Sequence, residues 1–358
     1  MTTSTGAARL RDLRHPVVLC LSGGGARGAA QAGVVIELVA HGLRPDLVVG
    51  TSIGAWNGGW LAAHPDLEEV RALRHWWADP EVRRVMRGML LGYAGALAWR
   101  RSAALSAGRV ENLLQRAVGD LTFDGLQVPL AVGAVDLLSG DLLYFDRGPV
   151  AVAVRASSAI PTVLPPVALD DRLLVDGGVI DNFGVQEAVR RGARSIILVD
   201  ASTSEMSRMP AGLGAIIDRA TLVAQVHQRR RSLAAAAEAG VPLHLIEVGL
   251  PGGVLDFARV DGALDAGRQA ARAWLAGEAP PAPPPLADAD RRRAMLRWRV
   301  LEERVLERVA WLSAWRRAAQ AGPASGNGAS AHPWRVDASA RSGPAEPGGD
   351  AAAVAGTG

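Results

Sequence analysis

The 358 residues carry 39 basic and 36 acidic side chains, and 49% are hydrophobic, enough to bury one large or two small cores at a formal net charge of only +3. Every basic residue is an arginine, which excludes Schiff-base lysines, Ser-Lys dyads and the lysine of a Walker phosphate loop, while the lone Cys20 excludes an internal disulfide and a cysteine-based zinc site. With 4 Phe and 2 Tyr the apolar mass is Ala, Val and Leu, the filling of a parallel sheet between helices rather than of a β-sandwich.

Residues 16–21 read as a buried strand that contains Cys20, and a glycine turn leads from it into a helical pattern over 29–40, ended by Gly42. A short strand at 47–49 runs into a second turn and a helix through Ala62. Two strand-turn-helix units in succession predict an open parallel sheet. Helical patterns fill 66–118. Strands at 130–135 and 141–145 flank the turn Leu138-Ser139-Gly140-Asp141 and predict a hairpin. Strand 172–175, helix 184–191, strand 195–199, a long helix ending near Ala239, strand 243–248 and helix 261–276 complete the alternation. The fold class is three-layer α/β/α with a mainly parallel central sheet, in a single domain over 15–276 behind a flexible N-terminus at 1–14.

The composition changes at Pro280-Pro281-Ala282-Pro283-Pro284-Pro285, so 277–285 reads as a stiff linker. Beyond it, 286–321 reads as a basic amphipathic helix and 322–358, rich in Gly, Ala, Ser and Pro, as a disordered tail. The charge is uneven, since 291–317 hold nine arginines against three glutamates. With Trp298, Trp311 and Trp315, that helix suits either an anionic bilayer surface or ordinary packing on the domain. No stretch is apolar enough to span a membrane. The expected location is the cytoplasm, with peripheral membrane contact as one role for 291–317. Nucleic acid is not an expected partner, because the basic segment is short and partly neutralised.

Three short motifs carry the chemistry. Gly50-Thr51-Ser52-Ile53-Gly54 has the G-x-S-x-G form of a nucleophile elbow, in which a strand turns sharply into a helix and exposes the serine hydroxyl; an ordinary strand-helix turn has the same form. Gly23-Gly24-Gly25-Ala26-Arg27-Gly28 follows the first strand and opens a helix, so its N–H groups can converge on an oxyanion, with Arg27 either at the site or tying the loop. The same residues satisfy G-x-G-x-x-G, but a dinucleotide site needs an acidic residue at the end of the second strand, and Asp46 stands at its start.

A serine nucleophile needs a base. Of the histidines at 15, 41, 64, 75, 227, 244 and 332, none falls on a loop after a late strand, and all read as structural or surface residues. Asp176, at the end of strand 172–175 and followed by Gly177 and Gly178, lies at the strand end that lines the crevice in an open α/β sheet, where it can reach Ser52. Taken alone, Asp-Gly-Gly reads as a turn.

In this order the motifs resemble the patatin-like phospholipase family, with its G-G-G-x-R-G loop, G-x-S-x-G elbow and D-G-G. Ala156-Ser157-Ser158-Ala159-Ile160-Pro161 is similar to the family's A-S-x-A-x-P segment. The resemblance covers about residues 15–200. It departs at Asp181-Asn182-Phe183-Gly184, where many members have paired asparagines and a proline. It implies a serine acyl-hydrolase with Ser52 as nucleophile, Asp176 as proton acceptor without a histidine, and the loop Gly23 to Gly28 as oxyanion hole, supported by Gly50, Gly54, Gly177 and Gly178. It implies glycerophospholipid, lysophospholipid or another acyl ester as substrate and no cofactor or metal. Two rivals are an acyltransferase on the same dyad and a catalytically silent lipid-binding scaffold. The apolar segment 86–99 reads as core helix, with an acyl-binding wall or lid as the alternative.

Overall fold

A computed structural model describes residues 8–85, 102–161, 163–202, 213–248 and 260–278. The chain divides into two units, 1–292 and 293–358, and all described residues belong to the first. The segment 86–99, the basic helix 286–321 and the tail 322–358 lie outside the described residues.

The run Val17–Leu21 forms β1 and is buried at every position, as a strand covered on both faces must be. Its neighbours β2 (Leu47–Thr51) and β7 (Ser195–Asp200) are both parallel to it. The sheet order is β5-β6-β3-β2-β1-β7-β8, with β3 (Leu130–Asp136) parallel to β2 and β8 (Leu243–Glu247) parallel to β7. At one side the direction changes: β4 (Leu142–Phe145) and β6 (Arg172–Asp176) pair antiparallel with β3, and β5 (Val167–Leu169) with β6. The expected hairpin is therefore β3 and β4, built onto a parallel core.

Side-chain alternation along β1 divides the core. Val17, Leu19 and Leu21 enter a cluster with apolar residues of α1 (Gly28–Ala40), α2 (Ile53–Ala63), α3 (Leu67–Arg71), α4 (Leu73–Ala78), α5 (Ser102–Val118) and α6 (Val150–Ser157). Val18 and Cys20 face α7 (Val185–Arg190) and the end of α8 (Leu213–Glu238). The last described helix, α9 (Val260–Ala276), joins the α1 side. The first unit is thus an α/β/α sandwich around a mainly parallel sheet. Residues 8–14, expected to be flexible, pack instead: Leu13 is buried, and the Arg9 guanidinium lies 4.5 Å over the Trp274 ring.

Helix α1 begins at the glycine turn, so its anchoring fixes that turn. Glu37, buried on α1, accepts hydrogen bonds from Arg272 Nε at 2.7 Å and Arg268 Nε at 3.1 Å, both on α9. Burial alone would raise the Glu37 carboxyl, but bonds from the two guanidinium groups hold it below its ordinary range. A lowered carboxyl contributes stability above the unfolded value and loses it as pH falls through the folded value. Glu37→Gln is expected to cost about 1–3 kcal/mol in urea unfolding at pH 7, with the gap to wild type closing as pH falls through the carboxylate range.

Candidate active site

Ser52 follows the last residue of β2 and precedes α2, with φ 55 and ψ −123. A non-glycine residue here is strained by about 1–3 kcal/mol, and three features hold it. Parallel partners fix β2 on both sides. The Ser52 N–H donates to Ser157 Oγ at 2.8 Å. Helix α2 starts tight against β1: a Cβ on Gly54 would stand 2.0 Å from the Leu21 carbonyl oxygen, so only glycine allows that approach. Gly50, within β2, pairs with Leu21.

Asp176 ends β6 on the far side of β3. Thr51 pairs with Gly133 of β3, and Ala134, one residue on, pairs with Asp176, so Ser52 and Asp176 stand level across that strand. The Ser52 hydroxyl lies close enough to the Asp176 carboxylate to favour its charged form, and both residues are 6% exposed. Asp176 Oδ1 accepts the Gly178 N–H at 2.8 Å, across the single turn Gly177–Val179. Burial outweighs both influences and pushes the carboxyl up to about 6.

The glycine loop leaves β1 at the switch point of the sheet, where strand order reverses between β2 and β7. It lies beside the serine, since a Cβ on Gly23 would be 3.1 Å from Ser52 Cβ. The Gly23 N–H donates to the Asn182 carbonyl, the Arg27 N–H to the Gly24 carbonyl, and the Gly28 N–H to the Gly25 and Ala26 carbonyls. The N–H groups of Gly24, Gly25 and Ala26 have no acceptor among the described residues, which narrows the six-residue loop to three candidate donors. The Arg27 side chain ties the loop to the segment just past β7 by donating to the Ser202 carbonyl at 2.8 Å. From the other flank, Gln31 Nε2 donates to the Ser22 carbonyl, and Asn57 Nδ2 to the Gly28 carbonyl and Gln31 Oε1.

Four of the described histidines have their contacts elsewhere. His15 bonds Asp46, His41 bonds the Glu37 carbonyl, His64 lies near Glu69, and His244 packs edge-on against Trp274. Among the described residues no cluster of His, Cys, Asp and Glu is arranged to hold a metal ion. Burial raises the Cys20 thiol far above its ordinary range, the behaviour of an inert core residue.

Sequence reasoning quoted Ser157 without giving it a task. The structure gives its segment two: Ser157 accepts from Ser52, and the Ala159 carbonyl accepts the Asp176 N–H at 3.1 Å. It missed Gln228 altogether, because one glutamine on a long helix carries no local signal.

A mainly parallel α/β sheet with a serine on a strained strand-to-helix turn and a buried carboxylate level with it has the architecture of the α/β serine-hydrolase class. Comparison with known proteins makes this specific. Residues 19–189 match the family model described as patatin-like phospholipase. An uncharacterised NTE family protein of Mycobacterium tuberculosis is 34% identical over 200 residues, 56% of this chain and 53% of that protein. A second such protein, from Mycobacterium bovis, is 30% identical over 296 residues, 75% of this chain and 48% of its own length. The lysophospholipase NTE1 of Candida albicans is 28% identical over 198 residues, 55% of this chain and 14% of that protein. The chain thus spans about half the length of the mycobacterial relatives it matches. Among the described residues no helix is long and apolar enough to cross a membrane.

Ser157→Ala removes the acceptor for a buried N–H at the strained turn. The expected cost is about 1–3 kcal/mol of stability, with turnover of a soluble ester reduced; unfolding and kinetics on the same preparation check both.

Proposed function

We propose that the protein is a serine acyl-hydrolase acting on phospholipid, lysophospholipid or related acyl esters, with Ser52 as nucleophile and Asp176 as its base. The observation that carries the reading is the placement of the pair: a hydroxyl on an elbow and, level with it across β3, a buried carboxylate whose ionisation is pushed up to about 6. A base is most effective when its pKa is near the working pH, because it is then mostly ionised yet still basic.

In this mechanism the Asp176 carboxylate takes the Ser52 proton as Oγ attacks the ester carbonyl. The N–H groups of Gly24, Gly25 and Ala26 receive the developing oxyanion. Collapse of the tetrahedral intermediate breaks the ester C–O bond, and the leaving alcohol takes the proton from Asp176. Water then attacks the acyl-serine while Asp176 accepts its proton, and the fatty acid departs as Ser52 is reprotonated. The lipid substrate rests on the family and on the names of relatives, among them a lysophospholipase. The peripheral membrane contact expected of 291–317 belongs to the same proposal and rests on composition alone.

An ester panel of phospholipid, lysophospholipid and a chromogenic short-chain ester tests the reading. Ser52→Ala and Asp176→Asn are each expected to lose at least about a thousandfold in kcat, in line with the loss of a member of a catalytic unit. Retained turnover in Asp176→Asn would refute the dyad.

The raised carboxyl has a stability consequence of defined sign. Its folded value, about 6, exceeds the ordinary 3.8, so its stabilising contribution is complete below about 4 and is lost as pH rises through about 6. Asp176→Asn is therefore expected to melt higher than wild type at pH 8, by an amount on the order of 2–3 kcal/mol, with the advantage gone at pH 4. Equal melting temperatures at both pH values would contradict the burial of this charge.

A further inference from the structure

Helix α8 is remote in sequence from all three motifs, yet one of its side chains enters the site. Gln228, 5% exposed, makes three amide hydrogen bonds to a single loop. Oε1 accepts the Asn182 N–H at 3.1 Å. Nε2 donates to the Gly178 carbonyl at 3.1 Å and to the Val179 carbonyl at 3.3 Å. This loop begins at Asp176, and the Gly178 peptide whose oxygen is held by Gln228 follows directly on the N–H that bonds the Asp176 carboxylate.

The same loop reaches the glycine turn through Asn182. Asn182 Nδ2 donates to the Gly23 carbonyl at 3.2 Å, and the Asn182 carbonyl accepts the Gly23 N–H at 3.3 Å. The fit leaves no slack, since a Cβ on Gly23 would stand 2.4 Å from Asn182 Oδ1. The connection therefore runs from α8 through Gln228 to the loop 178–182, and from there both to the carboxylate and to Gly23 next to Ser52.

We propose that Gln228 is a positioning residue of this site, whose amide latches the loop carrying Asp176 against the glycine turn and so keeps the Gly178 N–H on the carboxylate and the candidate donors beside Ser52. The inference rests on the reading of Ser52 and Asp176 as a dyad. A glutamine is required because the loop offers one donor and two acceptors, and only an amide of this length meets the three. Methionine keeps the length and helix compatibility but none of the bonds. Glutamate keeps the acceptor for Asn182, loses both donors and adds a negative charge near the carboxylate.

The test is a pH profile of kcat/KM on a soluble chromogenic ester for wild type, Gln228→Met, Gln228→Glu and Asp176→Asn. In wild type the acid limb is expected at about pH 6, set by Asp176. Loosening the Gly178 N–H removes an interaction that favours the carboxylate, so both Gln228 variants are expected to move the limb upward, on the order of one pH unit. On the alkaline plateau kcat is expected to fall at least tenfold, with KM within about twofold, since the substrate's own contacts are untouched. Because the charge of Gln228→Glu raises the limb by itself, Gln228→Leu, which brings neither the bonds nor a charge, reads the shift should the methionine variant not fold. A limb that stays in place with kcat within about twofold of wild type overturns the latch while leaving the dyad intact. Turnover surviving in Asp176→Asn overturns the dyad and the latch with it. A purely structural role would lower the melting temperature without moving the limb.

Discussion

The positive φ of Ser52 is the constraint on which the rest of the site depends. Left to itself the chain would relax this residue, so the surroundings must over-determine it. Strand β2 is held by parallel partners on both sides, the Ser52 N–H is held by Ser157, and α2 starts so close to β1 that Gly54 has no room for a side chain. Each of these contacts comes from a different part of the chain. The strained turn is therefore a product of the completed sheet, and the serine hydroxyl acquires its direction only when β1, β2, β3 and the Ser157 segment are all in place.

Asp176 obeys the opposite logic. It is not strained but desolvated, and the nearby Ser52 hydroxyl and the hydrogen bond from the Gly178 N–H compensate only in part. A carboxylate placed in this way costs stability at neutral pH and is worth keeping only for what it does to a neighbouring proton. The fold sustains that cost with a large apolar interior on the α1 side of the sheet and with buried polar ties such as Glu37 to Arg268 and Arg272.

Much of this was legible in the sequence, because its elements carry unambiguous periods. The run Val17 to Leu21, the helix ended by Gly42 and the alternation of strands and helices after Asp176 could be placed within a residue or two. Ser52 and Asp176 were found because each ends a strand, but the parallel-sheet rule behind that choice holds only for Ser52; β6 runs antiparallel, and Asp176 meets Ser52 because β6 stops opposite Ala134, level with the end of β2. What stayed hidden is long-range. The stretch Val150 to Val154 alternates Val and Ala and signals neither period; its helical state follows from Pro149 at its start and from packing of Val150, Ala153 and Val154 into the core. The separation of the loop donors into engaged and unengaged N–H groups depends on Asn182, some 160 residues away, and the role of Gln228 on a loop 46 residues before it. Neither leaves a local pattern. The tight packing of Leu13 and Arg9 against the domain was likewise invisible, because charged residues near a terminus read as solvated.

The account stands on a single covalent event at Ser52 that is driven by the ionised form of Asp176. The most direct measurement is the rate and position of labelling by a fluorophosphonate ester as pH is varied, read by peptide mass spectrometry of the full chain. The account predicts one adduct, on Ser52, forming at a rate that rises through about pH 6 and then levels. An adduct on any other residue, or labelling of Ser52 at a rate that ignores the ionisation of Asp176, would contradict it.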